Sequence, residues 1–216
     1  MKIIFCIAFF VLGALAKDPS LYEYYTSGGI KSGLEANHPD HFTLNGKPYI
    51  IYGGSFHYFR VVPEHWRAIL QRFKAAGLNA VQLYLPWNLH EDRPGHFDFE
   101  SANLNLAKFL EEIKLADMFA IVRPGPYICA EFENGGIPSW TLRDRTLRVR
   151  SNDTYYLERV KLYYNEALKI INRYQFSTTG TLLTTSKNAP CQNVSIHFFQ
   201  ILPTNRRSRY YASNGK

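Results

Sequence analysis

Between residues 47 and 171 the chain repeats one pattern. A short apolar run leads into a loop of glycine, proline and aromatics, and an amphipathic stretch follows. Phe42-Thr43-Leu44 alternates up to Asn45-Gly46, the strongest short signal for a hairpin. Residues 47–52 then read as a strand, with Gly53-Gly54 as turn glycines. Pro63 opens a helix at a first-turn position, where its missing N–H is no loss. Trp66, Ile69, Leu70 and Phe73 place four apolar side chains on one helical face, and Gly77 stops the helix. Residues 80–85 form the next apolar run, ending at Pro86-Trp87. Leu106, Leu110 and Ile113 stripe a second helix, and residues 118–122 form a third strand. Asn152 or Asp153 caps a third helix, with a stripe of Leu157, Val160, Tyr164, Leu168 and Ile171. Such alternation predicts an α/β chain of successive βα units. In a parallel βα barrel the loops after the strands line the C-terminal face, where active sites are built.

The flanks read differently. Residues 1–16 combine Lys2, an apolar run over residues 3–12 and Ala14-Leu15-Ala16, the order of charge, core and small residues in a secretory signal peptide. The run is too short for a membrane span, which needs about 20 apolar residues. Residues 17–41 are a polar, mixed lead-in. Beyond Phe176 no acid occurs and no periodicity is sustained. Of the formal charge of +7, Lys2 carries one and residues 177–216 carry five, leaving +1 on residues 17–176. The basicity belongs to the tail, and no nucleic-acid surface is expected on the body. Cys129 and Cys191, which lie beyond the leader, fall in dissimilar segments and are not expected to pair. Asn152 and Asn193 each begin a glycosylation sequon.

The stretch Arg-Pro-Gly-Pro-Tyr-Ile-Cys-Ala-Glu-Phe-Glu-Asn-Gly-Gly-Ile-Pro-Ser-Trp, residues 123–140, holds Glu131 and Glu133 two positions apart. Strand alternation after residue 122 would set both acids on one face, about 6.6 Å apart. A retaining glycosidase needs two carboxyls about 5–5.5 Å apart on opposed sides of the scissile bond. That geometry disfavours the two as a catalytic pair and leaves each as an acceptor for sugar hydroxyls. For Glu131 the sugar contact is preferred, and Glu133 stands open between that role and a solvated carboxylate. Tyr84, Trp87, Tyr127, Phe132 and Trp140 fall at loop ends, where aromatic faces stack on sugars. Core packing is the alternative for each, weakest for Tyr84 and Tyr127. His57, His65, His90 and His96 are scattered without a metal-ligand pattern, and Ser55 lacks a nucleophile-elbow context. Structural roles are expected for all of these, with no metal and no cofactor.

Residues 53–91, GGSFHYFRVVPEHWRAILQRFKAAGLNAVQLYLPWNLHE, followed by residues 123–140, closely resemble the start of glycoside hydrolase family 35, the lysosomal and secreted β-galactosidases. The resemblance runs from about residue 34 to 176. It implies the N-terminal portion, about three βα units, of an incomplete (β/α)₈ TIM barrel. The implied activity is retaining hydrolysis of terminal β-galactosides. The family's galactose pocket maps onto Tyr84, Ala130 and Glu131, with a β-galactoside as the ligand. The family's fourth strand carries a V-E-N-E-Y motif with the acid/base glutamate. Here the corresponding region reads STTGTLLTTSKNAPCQNVS, and neither that acid nor the nucleophile is found. The expected organisation is a signal peptide at 1–16, a partial catalytic domain at 17–176 and a divergent tail at 177–216. No catalytic residue is assigned, and an inactive chain is expected, with a bare edge on the third strand. The alternative is a truncated galactose-binding or regulatory form. The expected location is the secretory pathway, lysosomal or extracellular.

Overall fold

The computed structural model describes residues 18–128, 130–178 and 180–183. The expected leader, Cys129, Cys191 and Asn193 lie outside them.

The lead-in is folded. Helix α1 (Leu21–Thr26) starts at a capping box, in which Ser20 and Glu23 each satisfy the other's backbone N–H. Strands β1 (Leu34–Glu35), β2 (Phe42–Leu44) and β3 (Lys47–Tyr49) make a small antiparallel sheet with β2 in the middle. Asn45 and Gly46 take φ values of 52° and 77°, the turn that this dipeptide predicts.

The chain then departs from the sequence reading. The strand expected over 47–52 ends at Tyr49, and Gly53-Gly54 are not turn glycines. They begin strand β4 (Gly53–Ser55), which pairs in parallel with a later strand. A Cβ on Gly54 would lie 2.8 Å from the Phe73 ring, so glycine here lets a helix approach the strand. That helix is α2 (Pro63–Ala75), with Trp66 and Leu70 fully buried. Strand β5 (Ala80–Tyr84) follows, then a short turn of helix, α3 (Trp87–His90), and a hairpin of β6 (Glu91–Arg93) and β7 (His96–Phe97). Helix α4 (Leu106–Leu115), strand β8 (Phe119–Arg123) and helix α5 (Thr154–Ile171) complete the order.

The central sheet runs β4-β5-β8, all parallel, with Ala80 opposite both Gly53 and Phe119, and Tyr84 opposite Arg123. Alternation sorts each strand into two faces. Val81, Leu83, Ala120 and Val122 join the core beneath the helices, with Trp66, Leu70, Phe109 and Ile113. Phe119 faces the other way, into a second core of Tyr25, Leu34, Leu44, Tyr49, Phe176 and Leu183. The small antiparallel sheet and α1 thus plug the N-terminal end of the parallel strands. A sheet covered on both faces at its base explains why β5 is apolar apart from Gln82.

Two more expectations are revised. Asp153 caps α5 by accepting from the Tyr156 N–H at 2.9 Å, but Leu157 is half exposed. The buried face is Tyr156, Val160, Tyr163, Tyr164, Ala167 and Ile171. Two of its tyrosines place their hydroxyls on carbonyls: Tyr163 donates to Pro124 O at 2.9 Å and Tyr164 to Gly125 O at 2.6 Å. The outer edge of β8 is not bare either. Leu182 bridges Ala120 in parallel, with hydrogen bonds of 2.6 Å from Ala120 N to Thr181 O and 3.1 Å from Leu183 N to Ala120 O. Leu182 enters the helix-side core and Leu183 the plug, the alternation of a strand. Both lie past the boundary expected at Phe176.

Candidate functional site

The inner face of the sheet changes character along its length. At the base it is aromatic, with Phe119 edge-on to Tyr49 at 5.7 Å. Two residues on comes Ile121, and two further Arg123, while β5 runs Ala80, Gln82, Tyr84. The polar ends of the strands therefore gather at the C-terminal mouth.

Tyr84 is buried there, 8% exposed. Arg123, its register partner, donates from Nη1 to the Tyr84 hydroxyl and lies 4.5 Å above the ring. From the loop after β4, the His57 ring sits 5.1 Å from Tyr84 and stacks on Phe59 at 5.7 Å. His57 Nδ1 is buried and has no partner among the described residues. Burial, and then the Arg60 charge, hold the imidazole below its ordinary pKa, with Glu131 pulling the other way. Charge-sensing of this kind places His57, Arg60 and Glu131 in one electrostatic neighbourhood.

The third element is the loop after β8. Ala130 and Ile128 are buried in one small cluster with Tyr84, so two of the three expected pocket residues meet. Glu131 is exposed and takes φ 45°, a left-handed conformation uncommon for a residue with a side chain. Arg60 Nη2 donates to Ala130 O at 2.8 Å and reaches Glu131 O at 3.5 Å. Phe132 packs edge-on to Phe59 at 5.2 Å. The loop closes on itself through Ile128 N to Gly135 O at 2.7 Å and Gly135 N to Phe132 O at 2.9 Å. A Cβ on Gly135 would meet the Tyr127 ring at 2.0 Å, so only glycine fits.

The strand alternation expected for Glu131 and Glu133 does not occur. Strand β8 ends at Arg123, and Glu133 begins a tight turn over Glu133–Gly136 in which Asn134 and Gly135 take left-handed φ values of 48° and 60°. Both acids are exposed on one loop. Among the aromatics, Trp87 and Trp140 are core, in mutual edge contact at 5.9 Å, while Tyr127 is exposed beneath Arg150 at 4.1 Å. Asn152 is exposed ahead of α5.

His90 and Glu91 are buried and fully engaged. His90 donates from Nδ1 to Asp98 O at 2.6 Å and accepts at Nε2 from the Tyr58 hydroxyl at 2.5 Å. Burial lowers its pKa to about 4. Glu91 accepts from Trp87 Nε1 at 2.5 Å and from Gly95 N at 2.7 Å, and burial raises its pKa. Among the described residues no group of three or more His, Cys, Asp or Glu is placed to hold a metal. A cavity of 260 Å³ lined by His38, Asp40, Phe42, Tyr49 and Ile51 belongs to the plug and shares no residue with the Tyr84 cluster. Chemistry, not concavity, selects the mouth.

The structure places Tyr84 and Ala130, two of the residues singled out from the sequence, beside His57, for which a structural role is expected, and beside Arg60 and Arg123, for which no role is read from the sequence. A usable signal existed for two of them, since His57 follows a strand and Arg123 ends one. Arg60 is visible only once the first and third loops meet in space.

Comparison with known proteins gives a consistent result. The model of the family described as glycosyl hydrolases family 35 matches residues 41–187. Human beta-galactosidase-1-like protein 3 is 43% identical over 143 residues, covering 66% of this chain and 22% of the relative. Mouse beta-galactosidase-1-like protein is 41% identical over 145 residues, with 67% and 22% covered. Mouse beta-galactosidase is 37% identical over 145 residues, again with 67% and 22% covered. The chain thus spans less than a quarter of the length of these relatives.

Proposed function

Because the chain belongs to glycosyl hydrolases family 35, we propose that its mouth is the galactoside-holding part of a β-galactosidase-type active site, binding terminal β-galactose without cleaving it. The carrying observation is the convergence of Tyr84 with the Ala130–Glu131 loop at the polar end of parallel strands. The Tyr84 hydroxyl, the Glu131 carboxylate and the free Nδ1 of His57 offer hydrogen bonds to sugar hydroxyls, and Phe132 offers an apolar face.

Turnover is a separate matter. Retaining hydrolysis needs a proton donor and an opposed nucleophile. Glu131 and Glu133 share one loop, and both Glu91 oxygens are taken by Trp87 and Gly95. Within these 216 residues no acid follows Glu166. In this reading residues 18–176 supply the part of the mouth that holds sugar, and Leu182 pairs beside β8 as a further strand position. No helix among the described residues is long and apolar enough to cross a membrane. The leader-like residues 1–16 support routing to the secretory pathway, towards the lysosome or the extracellular space.

The test uses the full 216-residue chain. A chromogenic β-galactoside is expected to show no release above buffer, and galactose calorimetry is expected to show binding in the millimolar range. Glu131→Gln and Tyr84→Phe are each expected to abolish the heat. Turnover above buffer overturns the non-cleaving reading, and absence of heat at millimolar galactose overturns the binding reading.

A further inference from the structure

We propose that Arg60 is a positioning residue, which fixes the Ala130–Glu131 backbone against Tyr84 and so sets where the Glu131 carboxylate points. This rests on the galactoside-binding reading for its consequence, though not for its geometry.

Three observations carry it. First, Arg60 crosses from the β4 loop to the β8 loop, with Nη2 on Ala130 O at 2.8 Å and Glu131 O at 3.5 Å. Both bonds leave one nitrogen of a planar guanidinium whose N–H directions are fixed, whereas a lysine ammonium would meet the carbonyls from a freely rotating end. Second, the held residue is strained. Glu131 has φ 45°, and such a conformation persists only when its surroundings over-determine it. Third, the aromatic contacts follow the same bridge: Phe59 meets Phe132 at 5.2 Å, and the Arg60 guanidinium lies 5.5 Å from the Phe132 ring. Residues adjacent to the clamp on both loops thus pack together. Arg60 is itself exposed, and among its described contacts no carboxylate lies within ion-pair distance. Its directed bonds end on carbonyls of the loop that carries Glu131.

The test compares wild type with Arg60→Met and Arg60→Lys in the full chain. Hydrogen exchange is followed at the Ile128, Gly135 and Ile137 amides, whose loop hydrogen bonds report its closure. It needs no ligand, and β5 and β8 amides serve as the fold control. Both variants are expected to lose protection in the loop while keeping it in the strands. The His57 imidazole, followed by NMR, separates charge from geometry: its pKa rises in Arg60→Met and stays low in Arg60→Lys, because only the former removes the cation. Galactose affinity is expected to fall about tenfold or more in both. Loop protection equal to wild type in both variants overturns the proposal, as does full affinity in Arg60→Met. If wild type itself binds no galactose, the galactoside reading fails, and the exchange result alone decides whether Arg60 holds the loop.

Discussion

The base and the mouth lie at opposite ends of the same parallel strands and solve opposite problems. At the base, Phe119, Tyr49 and Tyr25 pack edge to face at 5.3 to 6.1 Å. The Tyr49 hydroxyl donates to Asn79 at 3.2 Å, and that of Tyr25 donates to Pro48 O at 3.0 Å. At the mouth, a few residues on, a buried imidazole nitrogen has no described partner and a glutamate sits at positive φ. Satisfied aromatic packing is what stability selects. Unspent hydrogen-bonding capacity and local strain are what a binding site requires. Alternation along β8 carries the chain from one regime to the other in four residues, from Phe119 to Arg123.

The contrast can be broken most forcefully from below. Phe119→Ala removes a fully packed ring from the plug and is expected to cost about 3–5 kcal/mol, read as a lowered Tm or urea midpoint. A loss under 1 kcal/mol would mean that the plug is not a core. Next in size is the effect of pH on His90. The unfolded chain takes up a proton near the ordinary histidine pKa, whereas the fold resists it until about pH 4. Stability therefore falls as pH drops through that window, by roughly 3 kcal/mol in all. Glu91 acts in the reverse sense, since its raised carboxyl costs stability as pH climbs above the usual carboxylate range. Urea midpoints of wild type and His90→Gln between pH 7 and 4 isolate the histidine share, and the variant should show the shallower acid loss.

Smaller again is Gly54→Ala, where the added methyl meets Phe73 at 2.8 Å. Overpacking at that seam is expected to cost about 1–3 kcal/mol. The finest probe is Glu131→Gly at the mouth. Relief of the left-handed strain is expected to raise stability by less than about 1 kcal/mol, partly offset by the greater freedom of an unfolded glycine. A gain there beside a loss at Phe119 would sharpen the division between the two ends, whereas a clear loss would show that Glu131 is held without strain.

Local chemistry made part of this legible in advance. Pro63 and Gly77 bracket α2, Asp153 opens α5, and Asn45-Gly46 turns the hairpin, each by a rule that needs only neighbours in sequence. Gly53 and Gly54 mislead because their strand role comes from pairing with Ala80 and Val81, and Gly54 in addition makes room for Phe73, 19 residues on. Leu157 misled because apolar spacing ignores that tyrosines take the inner face when loop carbonyls await their hydroxyls. At the site, Tyr84 and Glu131 are read both from their places at and after strands and from resemblance, and Ala130 from resemblance alone. His57 and Arg123 carry a weaker signal, as residues after and at the end of a strand, and Arg60 gains meaning only where the fold sets the first and third loops side by side.

The two phenols of α5 carry a practical corollary. Tyr163 and Tyr164 tether Pro124 and Gly125, the first links of the segment that bears Glu131, to a rod of 18 residues. Any rotation or sliding of that rod is handed on to the carboxylate as a change of aim. On the proposed galactoside-binding reading, substitutions along α5 therefore reach ligand preference without altering a residue of the mouth.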